Sequence, residues 1–151
     1  MGSAEKLEKG KIEVIEGEEH RPVSSSAVKI VGSHDGIAII MDGSSTVDPY
    51  FMVSECKKKG YDERQILKKI IISRAFTPYQ FVDLLEKAER ILERKHIIFM
   101  GAVTITSLFE DEEMNEVEMR WTRTRAIKKI KSLVREKNVY SVIVDPETNI
   151  F

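Results

Sequence analysis

Four polar residues stand at or just beyond the ends of apolar runs. Asp42 follows Ile37-Ala38-Ile39-Ile40-Met41, and Arg74 follows Ile70-Ile71-Ile72-Ser73. Thr104 lies just beyond His96-Ile97-Ile98-Phe99-Met100, and Asp145 closes Tyr140-Ser141-Val142-Ile143-Val144. If these runs are parallel strands, all four residues share the edge where open α/β sheets hold ligands. Asp42 and Asp145 supply oxygens of the kind a hard cation takes. The same aspartates also serve as solvated turn caps, with Arg74 as a structural ion-pair partner.

A second group is basic. Arg120, Arg123, Arg125, Lys128 and Lys129 crowd one stretch with Lys131, Arg135 and Lys137, and Trp121 sits among them. Such a face could track a phosphate backbone. However, Glu110, Asp111, Glu112, Glu113, Glu116 and Glu118 come just before it. Acids at a helix start and bases toward its end also complement the macrodipole, and Trp121 fits the core or an interface. Elsewhere the signals are thin. Ser24-Ser25-Ser26 lacks a His/Asp arrangement and reads as a polar strand edge or loop. Cys56 precedes Lys57-Lys58-Lys59, which could lower its pKa, but a passive buried thiol is commoner. His20, His34 and His96 are too far apart in sequence to read as a zinc motif. No cofactor and no metal is expected.

The chain has 151 residues, 42% hydrophobic and 32% charged, with a net charge of −1. That suits one domain with a real core. The single cysteine allows no internal disulfide, which fits a reducing cytoplasm. No apolar run reaches the roughly 18 to 20 residues that cross a bilayer, and the start Met1-Gly2-Ser3-Ala4-Glu5-Lys6 has no signal-peptide character. Abundant Glu, Lys, Arg and Ile with few Asn and Gln point to a thermophilic source.

The elements follow from periodicity. Residues 1–10 are expected to be a flexible tail, and 11–151 a single α/β domain. Lys11–Glu16 alternates as a half-buried strand, and Ser26–Val31 reads as a second one, so antiparallel strands or a hairpin are expected at the front. Gly32–Gly36 is a tight turn. From residue 37 on, strands alternate with helices, which calls for a mainly parallel sheet flanked by helices. Asp48-Pro49 and Thr77-Pro78 are N-caps followed by proline in the first turn, and Gly60 is a helix stop. Ile70–Arg74 reads as a buried strand. A long helix from Glu112 to Lys137 is expected to bury Met114, Val117, Trp121, Ile127, Ile130 and Val134.

The stretch from Met41 to Leu92 resembles the middle of the RecA/RadA recombinase ATPase core. Met41-Asp42-Gly43-Ser44-Ser45-Thr46-Val47-Asp48-Pro49 matches a strand ending in an acidic-Gly-Thr segment before a proline-opened helix. Gly60-Tyr61-Asp62-Glu63 leads to Ile70-Ile71-Ile72-Ser73-Arg74-Ala75-Phe76, similar to a strand closing on Ala-Arg-Ala-Phe/Tyr. Leu84-Leu85-Glu86-Lys87-Ala88-Glu89 matches the helix beyond.

The departures remove the family's chemistry. A Walker A loop needs G-x-x-x-x-G-K-[ST] to cradle phosphates, and only Gly32–Gly36 is left where that loop and its helix should lie. Ser44 stands at the catalytic glutamate, and Gly101 at the Walker B aspartate. The resemblance therefore implies a truncated, non-catalytic pseudo-ATPase acting as an interaction or accessory module in recombination or repair. The alternative is a nucleic-acid accessory protein using the basic 120–137 helix, with single-stranded DNA as its partner. An enzyme of unrelated chemistry at the strand-end crevice is a third class. A missing helix would leave one sheet face to be covered by the N-terminal strands or by a second subunit, so self-association is expected, beside a recombinase or repair protein as partner.

Overall fold

The computed structural model describes residues 7–110 and 115–151. Five strands, β1 (Ile12–Glu16), β2 (Ile37–Asp42), β3 (Ile70–Arg74), β4 (Ile97–Val103) and β5 (Tyr140–Asp145), form one sheet in the order β1-β5-β4-β2-β3. Every pairing is parallel. The helices are α1 (Arg21–Ser33), α2 (Pro49–Lys59), α3 (Glu63–Leu67), α4 (Pro78–Arg94) and α5 (Glu116–Lys137), with a 3-10 turn at Thr106–Glu110.

Parallel strands need both faces covered, and the chain order achieves it. Parallel crossovers keep one hand as a rule. Stepping from β1 out to β3 therefore puts α1, α2 and α3 on one face. Returning from β3 through β4 to β5 puts α4 and α5 on the other. The core divides accordingly. Ala38, Ile40, Ile98, Val142 and Val144 pack with Val28, Met52 and Ile66. Their strand neighbours Ile39, Met41, Met100, Ala102 and Ile143 pack with Phe81, Leu85, Ile127 and Ile130. The alternation is the period of two that a pleated strand imposes, broken once in β4, where a register shift beside Ile37 and Ala38 leaves Ile98 and Phe99 in the same half of the core.

The expected antiparallel front is corrected. β1 pairs in parallel with β5, from Ile12 opposite Ser141 to Glu16 opposite Asp145. Ser26–Val31 belongs to helix α1 rather than to a strand. The Val and Ile content of that stretch favours strand, but Val23, Ala27, Ile30 and Val31 fall at helical spacing and are buried together. Pro22 sits in the first turn, where it breaks no hydrogen bond. Topology decides the matter: β1 and β2 run the same way, so the chain between them must cross back over the sheet. The expected bare face is corrected too. α1 lies before β2, where no helix was expected, and covers that face. The argument for self-association from an uncovered sheet therefore lapses.

Smaller differences have similar causes. β3 is an edge strand paired only with β2, and it is half-buried rather than buried. Residues 7–10 are held rather than loose: Leu7 packs against the core, and the Gly10 amide donates to the Val139 carbonyl at 2.8 Å. Asn115 caps α5 by accepting from the Val117 and Glu118 amides, so the helix begins later than expected. Asp111 to Met114 lie outside the described residues. The buried face of α5 is Met119, Ala126, Ile127, Ile130, Leu133 and Val134, while Val117 and Trp121 are exposed. The caps at Asp48, Thr77 and Gly60 are as expected. Asp48 accepts from the Tyr50 amide, Thr77 from the Gln80 amide, and Gly60 is left-handed.

Gly43 tests how closely β2 meets the chain leaving β4. A Cβ placed there would lie 2.4 Å from the Thr104 carbonyl oxygen, a backbone atom that cannot swing away. Gly43→Ala is expected to cost about 1–3 kcal/mol. Gly60→Ala meets no neighbour within 4 Å and is expected to cost only the left-handed penalty of about 1–2 kcal/mol. Denaturant unfolding of the two variants checks that the first loses at least as much as the second.

Candidate functional site at the strand carboxyl edge

Because all strands point one way, Asp42, Arg74, Thr104 and Asp145 do share the carboxyl edge. They do not converge on a vacant centre. Asp42 and Asp145 end strands separated by β4, a gap of two strand spacings or about 10 Å. Each carboxylate is turned to donors of its own surroundings, so the two do not meet on a shared cation. Among the described residues, no group of three His, Cys, Asp or Glu side chains is placed to hold a metal.

Each aspartate is occupied by the protein itself. The Asp42 side chain is fully buried, which corrects the expectation of a solvated cap. Its Oδ1 accepts from the Ser44 amide (3.0 Å) and hydroxyl (2.9 Å), and its Oδ2 from the Val47 amide (2.9 Å) and Arg74 Nη1 (3.2 Å). Arg74 Nη2 also donates to the Val47 carbonyl at 2.7 Å. Arg74 is thus the structural partner foreseen, and it ties β3 to the loop after β2.

Asp145 plays the matching part at β5. Its Oδ2 accepts from the Ile105 (2.9 Å) and Thr106 (3.1 Å) amides, and its Oδ1 from the Thr106 hydroxyl and the Glu147 amide (3.0 Å). Burial pushes its pKa up from the usual 3.8, against the pull of the Thr106 and Ile105 bonds and of the Arg123 charge. Desolvation outweighs the donors because the side chain lies wholly inside.

The crevice between β2 and β4 is closed by the chain itself. These neighbouring strands lead to helices on opposite faces, which is where a ligand cleft opens in such sheets. Here the Gly43 amide donates to the Val103 carbonyl at 2.8 Å, and the chain leaving β4 at Thr104 and Ile105 passes against Gly43, while the Thr104 amide donates across to the Val144 carbonyl of β5 at 2.8 Å. Thr104 adopts a left-handed conformation, φ 51°, unusual for a β-branched residue. That turn carries the chain across the edge and leaves the Thr104 hydroxyl buried without a partner among the described residues.

The loop from β1 into α1 is short and acidic, Gly17-Glu18-Glu19-His20. The Glu19 carboxylate accepts from the Arg21 amide (3.2 Å) and guanidinium (3.0 Å), and these bonds hold its pKa low. Ser24, expected in a strand or loop, is buried in α1, with its hydroxyl 2.9 Å from His20 Nδ1. Ser25 donates to Glu55 at 2.6 Å. Cys56 is buried, and burial, with Glu63 and Glu55 near it, pushes its thiol up rather than down.

The basic helix is largely committed. Lys129 pairs with Glu89 at 2.6 Å, Arg123 with Glu147, and Arg120 with Glu116 at 3.4 Å across an exposed turn. The Arg125 guanidinium lies 4.5 Å over the Trp121 ring, a cation–π stack. Trp121 is 61% exposed, so it is not core. It lines a groove of about 570 Å³ between α4 and α5, with Val82, Leu85, Glu86, Arg125 and Lys128. A second recess of about 380 Å³ lies between α4 and the end of the sheet, lined by Ile39 of β2, Arg74 of β3, and Gln80, Asp83, Leu84 and Ile91 of α4.

The large exposed apolar residues among those described are Tyr50, Phe76, Tyr79, Val117 and Trp121. All but Trp121 lie at or just before the N-terminal turns of α2, α4 and α5 and so rim the carboxyl edge, while Trp121 stands a turn further along α5, in the groove. Sequence reading missed this rim and the donors Val47, Ile105, Thr106 and Glu147. The turn-forming Asp145-Pro146 was the one local signal for the last of these. No protein-family model matches the sequence.

Asp145 gives a pH test. With its folded pKa raised, its contribution to stability is full below the unfolded value near 3.8 and is lost as pH rises through the folded one. Asp145→Asn presents an NH₂ to amide donors and is expected to destabilise by about 1–3 kcal/mol. The margin of wild type over the variant should shrink between about pH 4 and about pH 7. Urea unfolding at both pH values measures it.

Proposed function

We propose that this chain is a non-catalytic RecA/RadA-like domain serving as a protein-interaction or accessory module in DNA recombination or repair. The observation that carries this reading is the carboxyl edge. Both of its buried aspartates are occupied by the protein's own donors, and exposed apolar residues rim it. Phosphoryl transfer needs a phosphate cradle, a water-positioning group and a metal anchor. In this chain the strand–loop–helix that precedes β2 carries Glu18 and Glu19 in its loop, the wrong sign for phosphates. Exposed aromatics are the residues that anchor protein interfaces, and Tyr50 and Phe76 are 84% and 66% exposed.

The alternative, a nucleic-acid accessory protein using Arg120, Arg123, Arg125, Lys128 and Lys129, has one observation in its favour: Arg125 stacked on an exposed Trp121. Against it, three of those five cations already face carboxylates.

A purified RadA-type recombinase from the same organism, titrated against this protein in biolayer interferometry, tests the reading. Saturable binding is expected, weakened about tenfold or more by Phe76→Ala with Tyr50→Ala, the loss expected of interface anchors. No recombinase binding, together with salt-sensitive binding of labelled single-stranded DNA that is lost on reversing Arg125 and Lys128, would favour the alternative. A dependence on salt is the signature of phosphate contacts.

A further inference from the structure

The groove between α4 and α5 differs from the carboxyl edge in having charges of both signs on separate walls. The α4 wall contributes Glu86 and Glu89, and the α5 wall Arg125, Lys128 and Lys129. Lys129 and Glu89 neutralise each other at 2.6 Å. Glu86 on one wall, and Arg125 and Lys128 on the other, have no ion-pair partner among the described residues. Between the walls lie Val82, Leu85 and Trp121, with Arg125 stacked on the Trp121 ring.

A purely acidic partner would meet Glu86, and a purely basic one Arg125 and Lys128. A copy of the same surface, turned by a two-fold axis, meets neither obstacle. It sets its basic α5 wall against this acidic α4 wall, and the reverse contact follows by symmetry. The exposed Trp121 and the Arg125 stacked on it would then be covered by the second copy, and tryptophan and arginine are the residues that contribute most to an interface when covered.

We propose that the α4–α5 groove is the contact surface of a symmetric homodimer, closed by Trp121 of each copy and by pairing of Glu86 with Arg125 and Lys128 across the axis. It is independent of the function proposed above and of the lapsed argument from a bare sheet face. The carboxyl-edge residues Tyr50 and Phe76 take no part in it.

Charge exchange tests it. Trp121 is the chain's one tryptophan, so its fluorescence reports on the groove alone. Sedimentation of the full chain over roughly micromolar to hundred-micromolar concentrations, a range that brackets ordinary dimer affinities, should give a dimer. Trp121 emission should shift to the blue as the dimer forms. Glu86→Arg alone, and Arg125→Glu with Lys128→Glu, should each be monomeric, because each homodimer then sets like charges together twice. An equimolar mixture of the two variants should recover a dimer, since every cross-axis pair is again opposite in sign.

Recovery also shows that both variants fold. A monomer at all concentrations would overturn the proposal. So would a dimer that survives Trp121→Ala and both charge reversals, which would place the contact elsewhere. Neither result bears on recombinase binding through Tyr50 and Phe76.

Discussion

A sheet whose five strands all run the same way cannot be closed by hairpins. Every connection has to recross a face, and both faces have to be covered by the connections themselves. In this chain α1, α2 and α3 cover one face and α4 and α5 the other. The same constraint sends every strand's carboxyl end, and the first turns of α1, α2, α4 and α5, to a single edge. Asp42, Arg74, Thr104 and Asp145 are neighbours of that edge for no reason of local sequence. The exposed aromatics at the starts of α2 and α4 share it for the same cause.

What happens at the edge is then a question of hydrogen-bond accounting. Buried carboxylates must be satisfied, and two are met here by amides from the chain leaving each strand. Asp42 draws in Ser44 and Val47, while Asp145 draws in Ile105, Thr106 and Glu147. These bonds fold the loops inward over the strand ends. Gly43 lets the segment at Thr104 and Ile105 pass within contact distance, and Thr104 turns left-handed to make the crossing. A comparable sheet with free amides at this edge could receive an anion. In this one the amides nearest the switch between β2 and β4 are already donating.

The sequence foretold much of the sheet and little of the edge. Continuous apolar runs such as Ile37–Met41 mark buried parallel strands, and Asp48-Pro49, Thr77-Pro78 and Gly60 mark helix ends through local chemistry. α1 escaped because Val28, Ile30 and Val31 make up half of Ser26–Val31 and its other buried residues include small serine and alanine, so propensity pointed to strand while spacing pointed to helix. Trp121 escaped for a related reason. Val117, Trp121 and Arg125 share a helical line, but α5 turns the line through Met119, Ala126 and Ile130 to the core. At the edge, the roles of the aspartates were legible as turn caps. Their burial was not, since it depends on loops that arrive from 40 residues away, as when Ile105 meets Asp145.

The central claim is that this edge is held shut by the protein's own amides. Residue-resolved amide hydrogen exchange, with and without magnesium and ATP, tests it most directly. The account predicts slow exchange at Val47, Ile105 and Thr106, the donors to the two aspartates, and no change at any of the three when nucleotide is added. Rapid exchange at these amides, or protection that rises with nucleotide, would show an edge open to phosphate and contradict the account.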